Sequence, residues 1–121
     1  MAKILLVEDD QTLIEMYQLK IKEGGLDLLL APDGEIGLEL AKKELPAVIL
    51  LDIMMPKMDG FAVLTELKKD SKTKNIPVLL LTNLGQKADI EKGQKLGAND
   101  YIVKSSMTPS QVLEKIKSFL K

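Results

Sequence analysis

The stretch Val48-Ile49-Leu50-Leu51-Asp52 decides the fold of this chain. Its four consecutive apolar residues do not alternate with polar ones, which predicts a strand buried on both faces, as in a parallel sheet covered by helices. An acidic residue follows the run directly. In an open parallel sheet, the carboxyl ends of the strands form the edge where ligands bind. The stretch therefore predicts a fold class and also the place of a functional site.

Similar apolar runs recur and alternate with segments of helical periodicity. We predict strands at about 3–7, 27–30, 47–51, 76–81 and 100–103, and helices at about 11–23, 35–43, 60–69, 86–95 and 108–120. Asp10, Asp59 and Thr108 are predicted N-caps, and Gly24-Gly25 and Gly97 are predicted helix ends. Five βα units are too few for an eight-stranded barrel, so we predict an α/β fold with an open, doubly wound sheet.

The composition restricts the class of protein and the kind of site. The 121 residues are 45% hydrophobic and 29% charged, as expected for one globular domain. The net charge of −1 gives no general attraction to nucleic acid or to anionic membranes, and no apolar run approaches a membrane span. Without cysteine or histidine, only oxygen ligands remain in number, which favours Mg²⁺, with Mn²⁺ as an alternative. The missing cysteines and the missing signal-peptide pattern lead us to expect a cytoplasmic location.

Polar residues follow four of the predicted strands. These residues are Glu8-Asp9-Asp10, Asp52, Thr82 and Lys104. Each one alone has an ordinary explanation as a helix cap, a turn residue or a solvated side chain. Together they provide a carboxylate nucleophile, acids that hold a dication, a hydroxyl donor and an ammonium group, which are the parts that a metal-assisted phosphoryl transfer requires.

Four longer motifs contain these residues. They are ILLVEDD at 4–10, LDIMMPKMDG at 51–60, PVLLLT at 77–82 and LGANDYIVK at 96–104. On these motifs the whole chain, 1–121, resembles the receiver domain of bacterial response regulators, of the stand-alone chemotaxis-regulator type. The resemblance implies a flavodoxin-like sheet of five parallel strands in the order 2-1-3-4-5, with five helices.

The resemblance also implies a role for each site residue. Asp52 would accept a phosphoryl group from the phosphohistidine of a sensor kinase or phosphotransfer protein, or from a small acyl phosphate. Glu8, Asp9, Asp52 and the backbone carbonyl of Met54 would hold Mg²⁺, with Glu8 often acting through water. Lys104 would bind the phosphoryl group. Thr82 and Tyr101 would form the switch pair that reshapes the face of helix four, strand five and helix five for a downstream target.

Three positions affect how closely the chain follows this pattern. The family usually has a cis proline after its lysine, but Ser105 follows Lys104 here, so we expect a trans peptide bond and a re-routed loop. Asn83 replaces the usual small residue after the switch threonine, and we expect it to alter the autodephosphorylation rate. Met54 cannot position a hydrolytic water by hydrogen bonding, so we expect slow self-dephosphorylation and no turnover as an enzyme.

Other functions fit the sequence less well. A phosphatase of the Asp-x-Asp type would need a second acid where Met54 stands, and a dinucleotide site would need a Gly-x-Gly turn at 7–10. A phosphorylation-independent interaction module remains the alternative. Because helix five ends the chain and no basic recognition helix is visible, we expect a downstream protein target or a missing output domain, without direct binding to nucleic acid or membrane.

Overall fold

The structure is a computed structural model that describes residues 2–55, 57–83 and 87–120. Five strands alternate with five helices along the chain. The strands are β1 (Lys3–Val7), β2 (Asp27–Ala31), β3 (Val48–Asp52), β4 (Val78–Thr82) and β5 (Asp100–Val103), and the helices are α1 (Gln11–Glu23), α2 (Gly34–Glu44), α3 (Gly60–Lys69), α4 (Lys87–Lys95) and α5 (Pro109–Ser118).

All strand pairs are parallel, and the strands form one sheet in the order β2-β1-β3-β4-β5. This is the flavodoxin-like order that the sequence motifs implied. The predicted bounds differ mainly at the ends of strands: β3 and β4 begin one and two residues later than predicted and end one residue later, so that they include Asp52 and Thr82. Helix α5 begins at Pro109, directly after its cap, and residue 86 of the predicted fourth helix lies outside the described residues.

Two apolar layers cover the sheet. One layer packs α1 and α5 against one face, and the other packs α2 and α3 against the opposite face. Strands β3 and β4 are buried along their whole length, since each lies between two other strands and under helices on both faces. Helix α4 is the exception among the helices, because Gly93 is its only buried residue. None of the helices in the described part of the chain is long and apolar enough to cross a membrane.

The helix caps explain where the helices begin. The side chains of Asp10, Asp33 and Asp59 each accept a hydrogen bond from a backbone N–H in the first turn of α1, α2 and α3. Thr108 and Gln111 form a reciprocal capping box at the start of α5. The caps predicted from sequence at Asp10, Asp59 and Thr108 are therefore confirmed, and Asp33 is a further cap.

Each helix also carries two lysines in its last turn, where a positive charge is favourable at the negative end of the helix dipole. In chain order these pairs are Lys20 and Lys22, Lys42 and Lys43, Lys68 and Lys69, Lys92 and Lys95, and Lys115 and Lys117. In a parallel α/β fold the helices run opposite to the strands, so these lysines lie at the amino-terminal edge of the sheet. The carboxyl-terminal edge carries the acidic residues that follow β1 and end β3.

Candidate functional site

The carboxyl-terminal edge of the sheet brings together the side chains predicted for the site. Asp52 is the last residue of β3, and only 3% of its surface is exposed. The loop that follows is held close to the strand, because the N–H of Gly60 donates to the Ile53 carbonyl at 2.9 Å. A side-chain carbon on Gly60 would lie 2.4 Å from the Asp52 carbonyl oxygen, so glycine is required for this approach.

The Asp52 carboxylate is oriented by two contacts to the same oxygen. The Met54 N–H donates to Oδ1 at 3.3 Å, and the Lys104 ammonium lies 3.0 Å from Oδ1. Lys104 directly follows β5, whose end is paired with β4 through the Lys104 N–H and the Thr82 carbonyl at 2.9 Å. Two adjacent pairs of strands therefore determine where the carboxylate and the ammonium group meet.

Glu8 is buried at the end of β1 and uses both of its oxygens. Oε2 accepts hydrogen bonds from the N–H groups of Asp9 and Asp10, each at 3.0 Å, and Oε1 lies 2.9 Å from the Lys104 ammonium. Burial raises the pKa of Glu8 to about 7, although Lys104 and the Asp10 N–H oppose this shift. Burial lowers the pKa of Lys104, but its ion pairs with Glu8 and Asp52 outweigh burial and raise it.

The three carboxylates form a cluster that fits a divalent cation. One oxygen each from Glu8, Asp9 and Asp52 lie within 4.8 Å of one another. Two oxygens on opposite sides of Mg²⁺ are about 4.2 Å apart, since each Mg²⁺–oxygen distance is about 2.1 Å. Adjacent ligands of the same octahedron are about 3.0 Å apart, so the three oxygens can bind one cation once the side chains adjust. One ammonium group does not balance three carboxylates, so a hard cation would also relieve the repulsion among them.

Thr82 ends β4 on the other side of Asp52. Its hydroxyl is buried and has no hydrogen-bond partner among the described residues. Thr82 lines a cavity of about 100 Å³ together with Asp52, Met54, Asn83 and Asp89. A buried hydroxyl normally has a partner, so this cavity is a place where a polar ligand group would be favourable.

The predicted switch aromatic, Tyr101, lies in β5 and is partly buried against the core layer of α2 and α3. The Lys115 ammonium from α5 lies 5.7 Å from the centre of its ring and pairs with Asp100 at 3.0 Å. Tyr101 therefore does not contact the carboxylate cluster directly. If Tyr101 takes part in switching as predicted, its effect would be transmitted through β5 and α5.

The departures from the family pattern have clear structural outcomes. The peptide bond between Lys104 and Ser105 is trans, as predicted, and the loop that follows turns through hydrogen bonds from the N–H groups of Ser106 and Met107 to the Val103 carbonyl. Lys104 nevertheless reaches both Glu8 and Asp52. Asn83 is exposed at the cavity, and Met54 is 71% exposed, so their expected effects on the autodephosphorylation rate stay predictions.

Sequence reasoning missed two contributors to the site. Asp89, in the first turn of α4, lines the same cavity as Asp52 although 37 positions separate them. Its only signal in the sequence was an acid near the start of a predicted helix. The ion pair between Glu8 and Lys104 was also not foreseen, because nothing in the sequence shows that the first and last strand ends approach within 3 Å.

Residues 4–117 match the family of response regulator receiver domains. The chain belongs to this family. The receiver domain is 37% identical, over 121 residues, to the DNA-binding dual master transcriptional regulator RpaA of Synechocystis, covering the whole of this chain and 50% of that protein. It spans about half the length of the curated relatives it matches.

Solved structures show the same architecture. The Vibrio cholerae chemotaxis protein CheY4 superposes on this receiver domain with a TM-score of 0.90 at 30% identity, covering 99% of both chains. The BeF₃-activated receiver domain of Klebsiella pneumoniae RstA superposes with a TM-score of 0.89 at 29% identity, covering 98% of both. Receiver domains are phosphoacceptor modules of two-component signalling rather than enzymes, and they use Mg²⁺ at an acidic pocket. The chain has the acidic cluster for such a site.

Proposed function

We propose that Asp52 is the phosphoryl acceptor of this receiver domain, and that residues 1–121 constitute one such domain. The observation that carries the proposal is the position of its carboxylate. It is buried, lies 3.0 Å from the Lys104 ammonium, belongs to the acidic cluster with Glu8 and Asp9, and lines a cavity with Thr82, whose hydroxyl has no partner among the described residues. The phosphorylation-independent module has no comparable observation in its favour.

In the proposed reaction an oxygen of Asp52 attacks phosphorus in line with the leaving group. The new phosphorus–oxygen bond forms as the bond from phosphorus to the imidazole nitrogen of a kinase or phosphotransfer-protein phosphohistidine breaks. Lys104 already contacts the attacking carboxylate, so its ammonium is placed to bind a phosphoryl oxygen as charge moves onto that group. A small acyl phosphate would react in the same way, with its carboxylate as the leaving group.

Glu8, Asp9, Asp52 and the Met54 carbonyl are the residues that we propose hold Mg²⁺, with Mn²⁺ as a substitute of similar ligand preference. Bound there, the cation would supply charge neutralisation for the phosphoryl oxygens. The hydrogen bonds and ion pair that occupy both oxygens of Glu8 support an indirect role for Glu8, through water, and a direct one for Asp9.

We further propose that phosphorylation changes the surface of α4, β5 and α5. The Thr82 hydroxyl has no competing partner among residues that the structure describes, so it is free to turn toward a phosphoryl oxygen. Tyr101 lies diagonally across from it on the neighbouring strand, two residues before Val103, the residue that pairs with Thr82. The downstream partner is a separate protein or an output segment of a longer chain, and we expect the domain to act in the cytoplasm without touching nucleic acid itself.

A mass measurement tests the proposal directly. The protein is incubated with acetyl phosphate and Mg²⁺, and its intact mass is recorded. We expect a gain of one phosphoryl group in the wild type and in Asp27→Asn, which changes an exposed acid at the opposite edge of the sheet. Asp52→Asn should show no gain. A wild type that gains nothing at any Mg²⁺ concentration would favour the phosphorylation-independent module instead.

A further inference from the structure

The cavity beside Asp52 is large enough to admit water. Its volume is about 100 Å³, whereas one water occupies about 30 Å³ in the liquid. The walls come from the ends of β3 and β4 and from the first turn of α4. Thr82 also lines it, and the buried hydroxyl of Thr82 has no hydrogen-bond partner among the described residues.

Among described residues, the cavity wall offers few groups that can orient an attacking water. Met54 has a thioether and points largely into solvent. The Thr82 hydroxyl is engaged by the phosphoryl group in the proposed function. Asn83 and Asp89 remain, and a carboxylate accepts hydrogen bonds more strongly than an amide does.

Asp89 also has an ordinary structural explanation. An acid in the first turn of a helix interacts favourably with the helix dipole, and this alone would account for its presence. The helix dipole does not explain why Asp89 lines the cavity beside Asp52, however. Glu91 of the same helix is exposed and does not line the cavity, which makes it a natural comparison.

We propose that Asp89 is the residue that positions water for autodephosphorylation of Asp52. This inference rests on the proposed function of Asp52. The Asp89 carboxylate accepts a hydrogen bond from a water that lies in line with the bond between phosphorus and the Asp52 oxygen. The water oxygen bonds to phosphorus, the bond to Asp52 breaks, and Asp52 leaves as a carboxylate. One water proton passes to Asp89 and then to solvent, and inorganic phosphate is released.

The geometry separates this role from simple repulsion of phosphate. In an in-line displacement the attacking water lies on the far side of phosphorus from Asp52. Glu8 and Asp9 follow β1 on one side of Asp52, and Lys104 follows β5 on the other side and pairs with both Glu8 and Asp52. Asp89 lines the cavity without belonging to the acidic cluster, so in our proposal it contacts the water while other groups hold the phosphoryl oxygens.

The test follows decay of the phosphorylated protein after the phosphodonor has been removed. Wild type, Asp89→Asn, Asp89→Glu and Glu91→Gln are loaded with acetyl phosphate and Mg²⁺, desalted into buffer with Mg²⁺, and sampled by intact mass. Loss of one hydrogen bond to the reacting water should slow decay in Asp89→Asn about 3- to 10-fold. Asp89→Glu should recover part of this rate, and Glu91→Gln should match the wild type.

The loading rate provides the second readout. Because Asp89 acts only on hydrolysis, Asp89→Asn should load at a rate within about twofold of Glu91→Gln, which removes the same charge from the same helix. Unchanged or faster decay in Asp89→Asn, or equal slowing in Glu91→Gln, would overturn the inference. A wild type that does not load at all would instead overturn the phosphoacceptor proposal, so the two failures are distinguishable.

Discussion

At the scale of single residues, Lys104 controls the electrostatics of the site. It is one ammonium group between two nearly buried carboxylates, Glu8 and Asp52, and its own side chain is only 20% exposed. Neutralising buried carboxylates matters more than forming an ion pair at the surface, because an uncompensated buried charge has lost its hydration. Lys104 therefore stabilises the fold mainly because its removal would leave the buried carboxylates of Glu8 and Asp52 without a compensating charge.

We expect Lys104→Met to lower the free energy of unfolding by about 2–4 kcal/mol in buffer without divalent cations. The matched control is Lys115→Met, which removes a lysine of similar exposure whose partner, Asp100, is 31% exposed, and it should cost less than about 1 kcal/mol. Urea unfolding at pH 7.5 measures both. Mg²⁺ should restore part of the loss in Lys104→Met. Equal losses in the two variants would show that the carboxylate cluster does not depend on Lys104.

At the scale of elements, the strand ends and helix caps carry the site, and one cap is strained. Helix α2 ends at Glu44 and is capped by Leu45, whose backbone is left-handed with φ 47° and ψ 61°. Its N–H donates to the Ala41 carbonyl at 3.1 Å, which closes the helix. Glycine is the usual residue at such a position, because a side-chain carbon there crowds the backbone. The half-exposed leucine therefore carries a conformational cost.

Replacing Leu45 in two steps isolates that cost. Leu45→Ala removes the side chain and keeps the crowding carbon, whereas Leu45→Gly removes both. We expect Leu45→Gly to be more stable than Leu45→Ala by about 1 kcal/mol, measured by urea unfolding. Helix propensity does not complicate the comparison, since Leu45 follows the helix. A Leu45→Gly protein that is less stable than Leu45→Ala would argue against strain at this cap.

The elements that could be predicted from the sequence are those with strictly local causes. The buried runs of β3 and β4 and the caps at Asp10, Asp59 and Thr108 depend on neighbours within four residues, and all are present in the structure. The grouping of the polar residues at the strand ends could also be predicted, because the carboxyl ends of parallel strands lie at one edge of the sheet. Asp89 and the left-handed Leu45 could not be predicted, since both depend on how α4 and α2 meet the sheet.

At the scale of the whole molecule, cation binding and folding are coupled. The acidic cluster forms only in the folded chain, because Glu8 and Asp9 follow β1 whereas Asp52 ends β3. A cation that binds the folded state and not the unfolded chain stabilises the fold by mass action. Mg²⁺ should therefore act as a stabiliser of the entire domain and not only as a participant in phosphoryl transfer.

We expect Mg²⁺ at about 100 times its dissociation constant to add about 2.7 kcal/mol to the free energy of unfolding. Asp9→Asn should abolish most of this gain, whereas Asp27→Asn, at the other edge of the sheet, should retain it. Thermal or urea unfolding in Mg²⁺ and in EDTA measures the difference. A gain that survives in Asp9→Asn would place the stabilising cation somewhere other than the acidic cluster.

The lysine pairs in the last turns of the helices have a consequence for encounter with a phosphodonor. They lie at one edge of the sheet and the acidic cluster at the other, so charge is separated along the strand direction, less so where Lys20, Lys69 and Lys115 pair with neighbouring acids. An anionic donor approaching in dilute buffer is drawn to the wrong edge of the domain. A higher ionic strength screens the attraction of the donor to the lysine edge. Phosphorylation by a small anionic donor should therefore become faster as the salt concentration rises. A kinase with a positively charged surface would instead be attracted to the acidic edge, and the same charge separation would orient the domain toward it.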